Sequence, residues 1–318
     1  MAKLKVLVTG IVPRAGLTEL NDVFDVTYEP EKENRSWVLE HLKDYDGLLI
    51  AGLNGDRELI DAGTNLKIIT TFGVGFDHVD VEYAKNKGIV VSNCPQSVLV
   101  PTAEMTFALI LATVRRLQFY DHSIRSGKWL NVSEPQYMGM DLQEKTLGVY
   151  GLGRIGSEVA RFAQTFGMKV IYHNRRQLAQ DLEGKLNVQY ADFDSLVVNS
   201  DVITLHAPAL PSTTGVFNAD VFKKMKNSAY IINSARGALV NQSDLIKSLQ
   251  TGDIAGAGLD VFENEPEVPQ ELRELDNVIM TPHAGTGTME ARVAIAKEAS
   301  KNLISYLRDQ TALNQVNK

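Results

Sequence analysis

The sequence predicts two doubly wound α/β domains, and three observations carry that prediction. Strand-like and helix-like segments alternate from the first residues. A set of strands lies on each side of Pro101. A glycine-rich turn, Gly151-Leu152-Gly153-Arg154-Ile155-Gly156, stands between an apolar strand and a helix pattern. Such alternation reads as parallel sheets with helices on both faces. A length of 318 residues supplies core enough for two domains.

Strand candidates in the first half lie at Lys5–Val8, Gly47–Ile50, Lys67–Thr70 and Ile89–Val91, separated by helix-like stretches such as Ser36–Leu42 and Val81–Asn86. A long helix is expected from about Pro101 to Tyr120, with proline in its first turn. A polar loop from Ser126 to Gly139 follows. Leu147–Tyr150 is the strand that enters the glycine turn, Ser157–Phe162 the helix that leaves it, and Met168–Tyr172 the strand that completes a βαβ unit. Further strands are expected at Val202–Leu205, Ala229–Ile232, Ala255–Leu259 and Val278–Met280. A last helix, about Thr288 to Leu307, has apolar residues spaced for one buried face.

Composition excludes several classes. With 44% apolar and 22% charged residues, the chain resembles ordinary globular proteins. A net charge of -7 leaves no basic footprint for nucleic acid or an anionic membrane. Cys94 is the only cysteine, so an intrachain disulfide is impossible and a reducing, cytoplasmic setting is expected. The apolar runs at the N-terminus and at Met105–Val114 are too short for a signal peptide or a membrane span. No H-E-x-x-H or C-x-x-C spacing occurs, so no metal is expected.

The glycine turn has a physical reading in this setting. Gly151 allows the tight turn, Gly153 lets a pyrophosphate approach the backbone, and Gly156 lets helix pack on strand. The helix start at Arg154 and Ile155 offers unpaired N–H groups to phosphates. The alternative is an α/β domain whose turn simply needs glycines. An NAD site usually carries an acid about 20 residues further on, where it takes the ribose hydroxyls. Here the position reads His173-Asn174-Arg175-Arg176. Two guanidiniums without a carboxylate suit a 2′-phosphate, each charge-assisted bond contributing about 1.5–3 kcal/mol. NADP(H) is therefore expected over NAD(H), the other reading being a solvated arginine pair beside an NAD site.

Three polar residues follow strands of the cofactor half: Arg236, Glu265 and His283. Ligands of open α/β sheets bind beyond the carboxyl ends of strands. Arginine can hold a carboxylate and polarise a neighbouring carbonyl, and histidine can exchange a proton near neutral pH. A glutamate beside an imidazole orients the ring. Spacing alone also allows a surface arginine, a loop histidine and a solvated acid. His206, ending a strand before Ala207-Pro208, is read as a wall of the adenine pocket or as a packing residue. In the first half, Gly73-Val74-Gly75 follows a strand, and its amides can face a carboxylate or merely form a turn.

Together these segments resemble the D-isomer-specific 2-hydroxyacid dehydrogenase family over nearly the whole chain. The motifs are Gly73-Val74-Gly75-Phe76-Asp77, Thr102-Ala103-Glu104, Arg125-Ser126-Gly127-Lys128-Trp129, the glycine turn, Asn233-Ser234-Ala235-Arg236-Gly237, the stretch from Leu259 to Pro266, and Pro282-His283-Ala284-Gly285. The resemblance implies a Rossmann cofactor domain at 99–287 and a flavodoxin-like substrate domain built from 1–98 and 288–318. It implies Arg236, Glu265 and His283 as the catalytic set. Val74 and Gly75 would be backbone contacts for the substrate carboxylate, and Leu53 would belong to the side-chain pocket. Ser234 and Asp260 would lie beside the nicotinamide carboxamide, with Thr102, Pro208, Thr213, Ala235 and Gly285 as further cofactor contacts. A homodimer through the cofactor domain is implied as well.

Within the family, Thr102-Ala103-Glu104 and Asn174-Arg175-Arg176 are most similar to glyoxylate/hydroxypyruvate reductases. Phosphoglycerate dehydrogenase fits less well, because Ala51-Gly52-Leu53-Asn54 lacks an arginine for a phosphate. The loop Pro95-Gln96-Ser97-Val98 lacks an asparagine that many members carry, and Leu53 leaves D-lactate-type, branched or aromatic substrates open. The expected reaction is NADPH-dependent reduction of a small 2-ketoacid to the D-2-hydroxyacid, with histidine as proton donor. A dinucleotide-sensing, corepressor-like binding protein is the reading from another class.

Overall fold

A computed structural model describes residues 3–31 and 34–318. The chain divides into two compact units, Met1–Pro101 with Thr286–Lys318, and Thr102–Gly285. In the first unit, β1 (Lys5–Val8), β2 (Asp25–Thr27), β3 (Gly47–Ile50), β4 (Ile68–Thr71) and β5 (Val90–Ser92) form a parallel sheet in the order β2-β1-β3-β4-β5. Strands β3 and β4 are buried along their whole length. That is why neither alternates between inward apolar and outward polar positions.

Short helices here start at side-chain caps. Asn34, Asp56 and Asp80 accept from the amides of Trp37, Leu59 and Tyr83, satisfying donors a helix start leaves open. The 21-residue helix Met289–Asp309 belongs to this unit and is capped by Thr288. Beyond it, residues 314–317 run along β5. The Val316 amide donates to Val91 O (2.9 Å), and the Val91 amide to Asn317 Oδ1 (2.9 Å). Asn317 Nδ2 donates in turn to Ile89 O (2.8 Å).

In the second unit, β6 (Thr146–Tyr150), β7 (Lys169–His173), β8 (Gln189–Tyr190), β9 (Val202–Leu205), β10 (Tyr230–Asn233), β11 (Gly256–Leu259) and β12 (Val278–Met280) form a seven-stranded parallel sheet. Its order is β12-β11-β10-β9-β6-β7-β8. One face packs Phe107, Leu147, Val159 and Tyr172, the other Tyr150, Leu205, Phe217 and Leu259. The strand order reverses between β6 and β9, and ligands of such sheets bind where that reversal leaves a crevice. The two sheets are the Rossmann and flavodoxin-like arrangements.

The helix expected from Pro101 to Tyr120 is two helices, Leu99–Val114 and Leu117–Arg125. Arg116 breaks it with a left-handed φ of 54°. Its amide reaches back to Thr113 O (3.1 Å), and its guanidinium lies 4.2 Å from the centre of the Phe119 ring. Strands β4, β5, β7 and β10 sit one residue later than their apolar runs suggested. Strands β2 and β8 and several short helices were not expected at all. Among the described residues no helix is long and apolar enough to cross a membrane.

Asn317 is buried and holds two backbone groups of the β5 segment. Asn317→Ala leaves the Val91 amide without a partner and should destabilise the protein by about 1–3 kcal/mol, read from urea denaturation midpoints.

Candidate active site

The end of β6 lies beside the end of β9, with Tyr150 opposite Leu205. The glycine turn therefore abuts His206 and Ala207. Gly151 has φ 97°, and a Cβ there would fall 2.5 Å from the Ala207 nitrogen. At Gly156 a Cβ would meet Gly151 O at 2.7 Å. Gly153 differs: a Cβ there would meet nothing within 4 Å. That open space lies at the start of helix Arg154–Thr165, which no side chain caps. Ile155, in the helix's first turn, is half-buried against the core. A bare backbone facing space, beside uncapped N–H groups, fits a dinucleotide pyrophosphate.

Asn174 ties this turn to the end of β7: the Leu152 amide donates to its Oδ1 (2.7 Å), and its Nδ2 to Leu152 O (3.2 Å). Asn174 is thus engaged with the protein itself. The segment is tied again where the Leu178 amide donates to the Tyr172 hydroxyl (2.9 Å). Burial and the neighbouring Glu183 carboxylate push that phenol up to about 12, and its hydroxyl donates to Glu183 Oε1 (2.6 Å). Between the ties, Arg175 and Arg176 are exposed, and neither joins an ion pair among the described residues.

Beyond β9, His206 Nε2 lies 3.0 Å from Thr204 Oγ1, and burial lowers the ring's pKa to about 3, so it is uncharged at neutral pH. Thr213 closes the next loop, its hydroxyl donating to Pro208 O (2.7 Å) and accepting from the Leu210 amide (2.8 Å).

At the end of β10, the buried Asn233 shapes the turn that carries Arg236. Its Nδ2 donates to Arg236 O (2.9 Å), and its Oδ1 accepts from the Ala235 amide (3.1 Å). Arg236 is partly exposed, with Nη1 donating to Ala235 O (2.6 Å). A Cβ on Gly237 would fall 2.0 Å from Phe262 C, so only glycine lets this turn press against the chain leaving β11. Ser234 is buried, its hydroxyl 2.6 Å from that of Thr106, which in turn donates to Thr102 O (2.7 Å).

His283 Nδ1 lies 2.8 Å from Glu265 Oε2, while Glu265 Oε1 accepts from the Phe262 amide (3.0 Å). A carboxylate only accepts, so Nδ1 carries a proton and Nε2 is left for another group. Both side chains are exposed by a third or more. His283 itself has a left-handed φ of 51°. Asp260, expected beside a carboxamide, is fully buried and spends both oxygens on this turn. Oδ1 accepts from the Thr281 hydroxyl (2.5 Å) and the Ala284 amide (2.7 Å), and Oδ2 from the Gly285 amide (2.9 Å).

In the first unit, Leu53 is half-buried against the core, and the Val74 and Gly75 amides meet no acceptor among the described residues. The supporting roles of Asn233, Gly237 and Thr106 are not marked by the sequence pattern, apart from an asparagine that ends a strand next to the turn it holds.

Residues 107–285 match the family model described as "D-isomer specific 2-hydroxyacid dehydrogenase, NAD binding domain". A glyoxylate reductase from Thermofilum pendens is 39% identical over 325 residues, covering 100% of this chain and 96% of that protein. This chain belongs to the D-isomer-specific 2-hydroxyacid dehydrogenase family. It is an NAD(P)-dependent oxidoreductase. Among solved structures, this dehydrogenase superposes on a glyoxylate reductase from Paecilomyes thermophila with a TM-score of 0.90 and 34% identity, covering 99% of each chain. An NADPH-dependent glyoxylate/hydroxypyruvate reductase from Sinorhizobium meliloti, solved with NADP and malonate, gives a TM-score of 0.87 and 31% identity. That match covers 99% of this chain and 97% of the other.

The contrast between two glycines makes a clean test on the dehydrogenase. Gly153→Ala should leave the melting temperature within about 2 °C of wild type while raising the cofactor KM at least about tenfold. Gly151→Ala should instead lower stability, because its methyl has nowhere to go.

Proposed function

We propose that this dehydrogenase reduces a small 2-ketoacid of the glyoxylate/hydroxypyruvate type to the D-2-hydroxyacid and prefers NADPH. The His283–Glu265 pair carries the reading: an imidazole held by a carboxylate through Nδ1 presents Nε2 as a proton donor. The bound nicotinamide supplies the hydride. Val74 and Gly75 offer two amides for the substrate carboxylate. Arg236 holds that carboxylate and polarises the carbonyl beside it. His283 gives a proton to the carbonyl oxygen, and Glu265 keeps the ring aimed. A dinucleotide sensor has no need of such a donor.

NADPH preference is supported by the exposed Arg175 and Arg176, which join no ion pair among the described residues, and by the NADP held by the Sinorhizobium meliloti relative. Thr102, Arg154, Ile155, His206, Pro208, Thr213, Ser234, Ala235 and Gly285 are proposed to line the cofactor's path, with Asp260 acting through the turn it holds. We further read the protein as a homodimer. Leu117, Ile124, Trp129, Val132 and Met138 are large apolar residues exposed on the cofactor unit, and a second copy would cover them.

Two variants separate the roles in steady-state assays on glyoxylate. His283→Ala should lower kcat by about 10²–10⁴-fold or more, with cofactor KM nearly unchanged. Undiminished turnover would remove histidine from the acid role. Arg175→Ala should reduce kcat/KM for NADPH about ten- to hundredfold and leave that for NADH unchanged. Equal use of both cofactors by the wild type contradicts the phosphate clamp.

A further inference from the structure

We propose that Asn93 is a positioning residue that sets the aim of the two amides taking the substrate carboxylate. The proposal rests on the reading of Val74 and Gly75 given above. A trans peptide is planar, so the carbonyl of one residue and the N–H of the next point in opposite directions. Fixing the carbonyl therefore fixes the amide. The Val74 carbonyl is fixed by Asn93 Nδ2 at 2.8 Å, which turns the Gly75 N–H to the other side. The Gly73 carbonyl is fixed by the Cys94 amide (2.8 Å) and the Thr71 hydroxyl (3.0 Å), which does the same for the Val74 N–H. Asn93 and Cys94 are neighbours, so both carbonyls turn towards one wall and both amides away from it. Successive N–H groups on one side make an anion-binding concavity. Gly73, at φ 151°, supplies the backbone freedom this needs.

Asn93 is itself held firmly. It is 7% exposed. Its carbonyl accepts from Nδ2 of the buried Asn302 (2.8 Å), and its amide donates to Asn314 O (3.3 Å). Asn314 Nδ2 donates to Asn302 Oδ1 (3.1 Å). The long helix and the strip along β5 thus brace the residue that braces the amides. The side chain must donate to a carbonyl, which aspartate cannot do when ionised. Glu265 and His283, proposed to move the proton, belong to the other unit, so the influence of Asn93 falls on carboxylate binding alone.

The test compares glyoxylate with its methyl ester at saturating NADPH. Wild type should favour the acid strongly. Asn93→Ala should raise KM for glyoxylate about tenfold while holding kcat, the NADPH KM and kcat/KM for the ester within about twofold. Asn93→Asp, of equal size, should shift the same ratio further. Asn302→Ala, which leaves the Asn93 side chain intact, should shift it in the same direction by less. Equal losses on acid and ester would reduce Asn93 to a structural role and overturn the proposal, as would an unchanged ratio. A wild type indifferent to esterification would instead bring down the carboxylate reading itself, and the proposal with it.

Discussion

Asp260 has no exposure to solvent, and its two oxygens accept three hydrogen bonds from Thr281, Ala284 and Gly285. The turn that carries His283 cannot shift without leaving these buried oxygens unpaired, a loss of about 1–3 kcal/mol for each. Over two oxygens that offsets the turn's own strain, since a non-glycine residue in a left-handed conformation costs about 1–3 kcal/mol. His283 sits in that conformation, and its amide donates both to Asp260 O (2.8 Å) and to Thr281 O (3.1 Å). Backbone bonds therefore place the residue that carries the imidazole. Glu265 then fixes the ring with one oxygen while the Phe262 amide holds the other.

The same device recurs after other strands. Asn233 clamps the Arg236 turn through two backbone groups, and Asn174 clamps the glycine turn through both polar groups of Leu152. In each case a short amide or carboxylate at a strand's carboxyl end replaces the ladder bonds that stop there. Buried backbone groups must be paired somewhere, so a parallel sheet that ends in functional loops needs such side chains at its rim. Rigid strands then pass their order to residues that belong to no regular element.

Much of this was legible in the sequence, for identifiable reasons. Strands β3, β4 and β9 are buried throughout and announce themselves as short stretches of apolar residues and threonine without a charge. The glycine turn carries its meaning in its spacing and flanks. What escaped notice leaves little mark in the local pattern. Strand β8 is two residues long, and β2 is three residues that are nowhere fully buried. The helix break at Arg116 arises from a ring and a carbonyl that the local pattern does not mark. The bonds that hold Asp260 are not marked either, because the donors come 21 to 25 residues later. The bonds between Asn174 and Leu152 are not marked in the sequence, because the two lie 22 residues apart.

The strip of residues 314–317 has a consequence for life at high concentration. An open sheet edge invites edge-to-edge addition of further chains. In the five-stranded sheet one border is already taken by the chain's own backbone, and the other is the brief β2. A sheet with a single available border can join one neighbour through it but cannot extend into a ribbon. The amide that braces β5 thereby also stands against fibre growth.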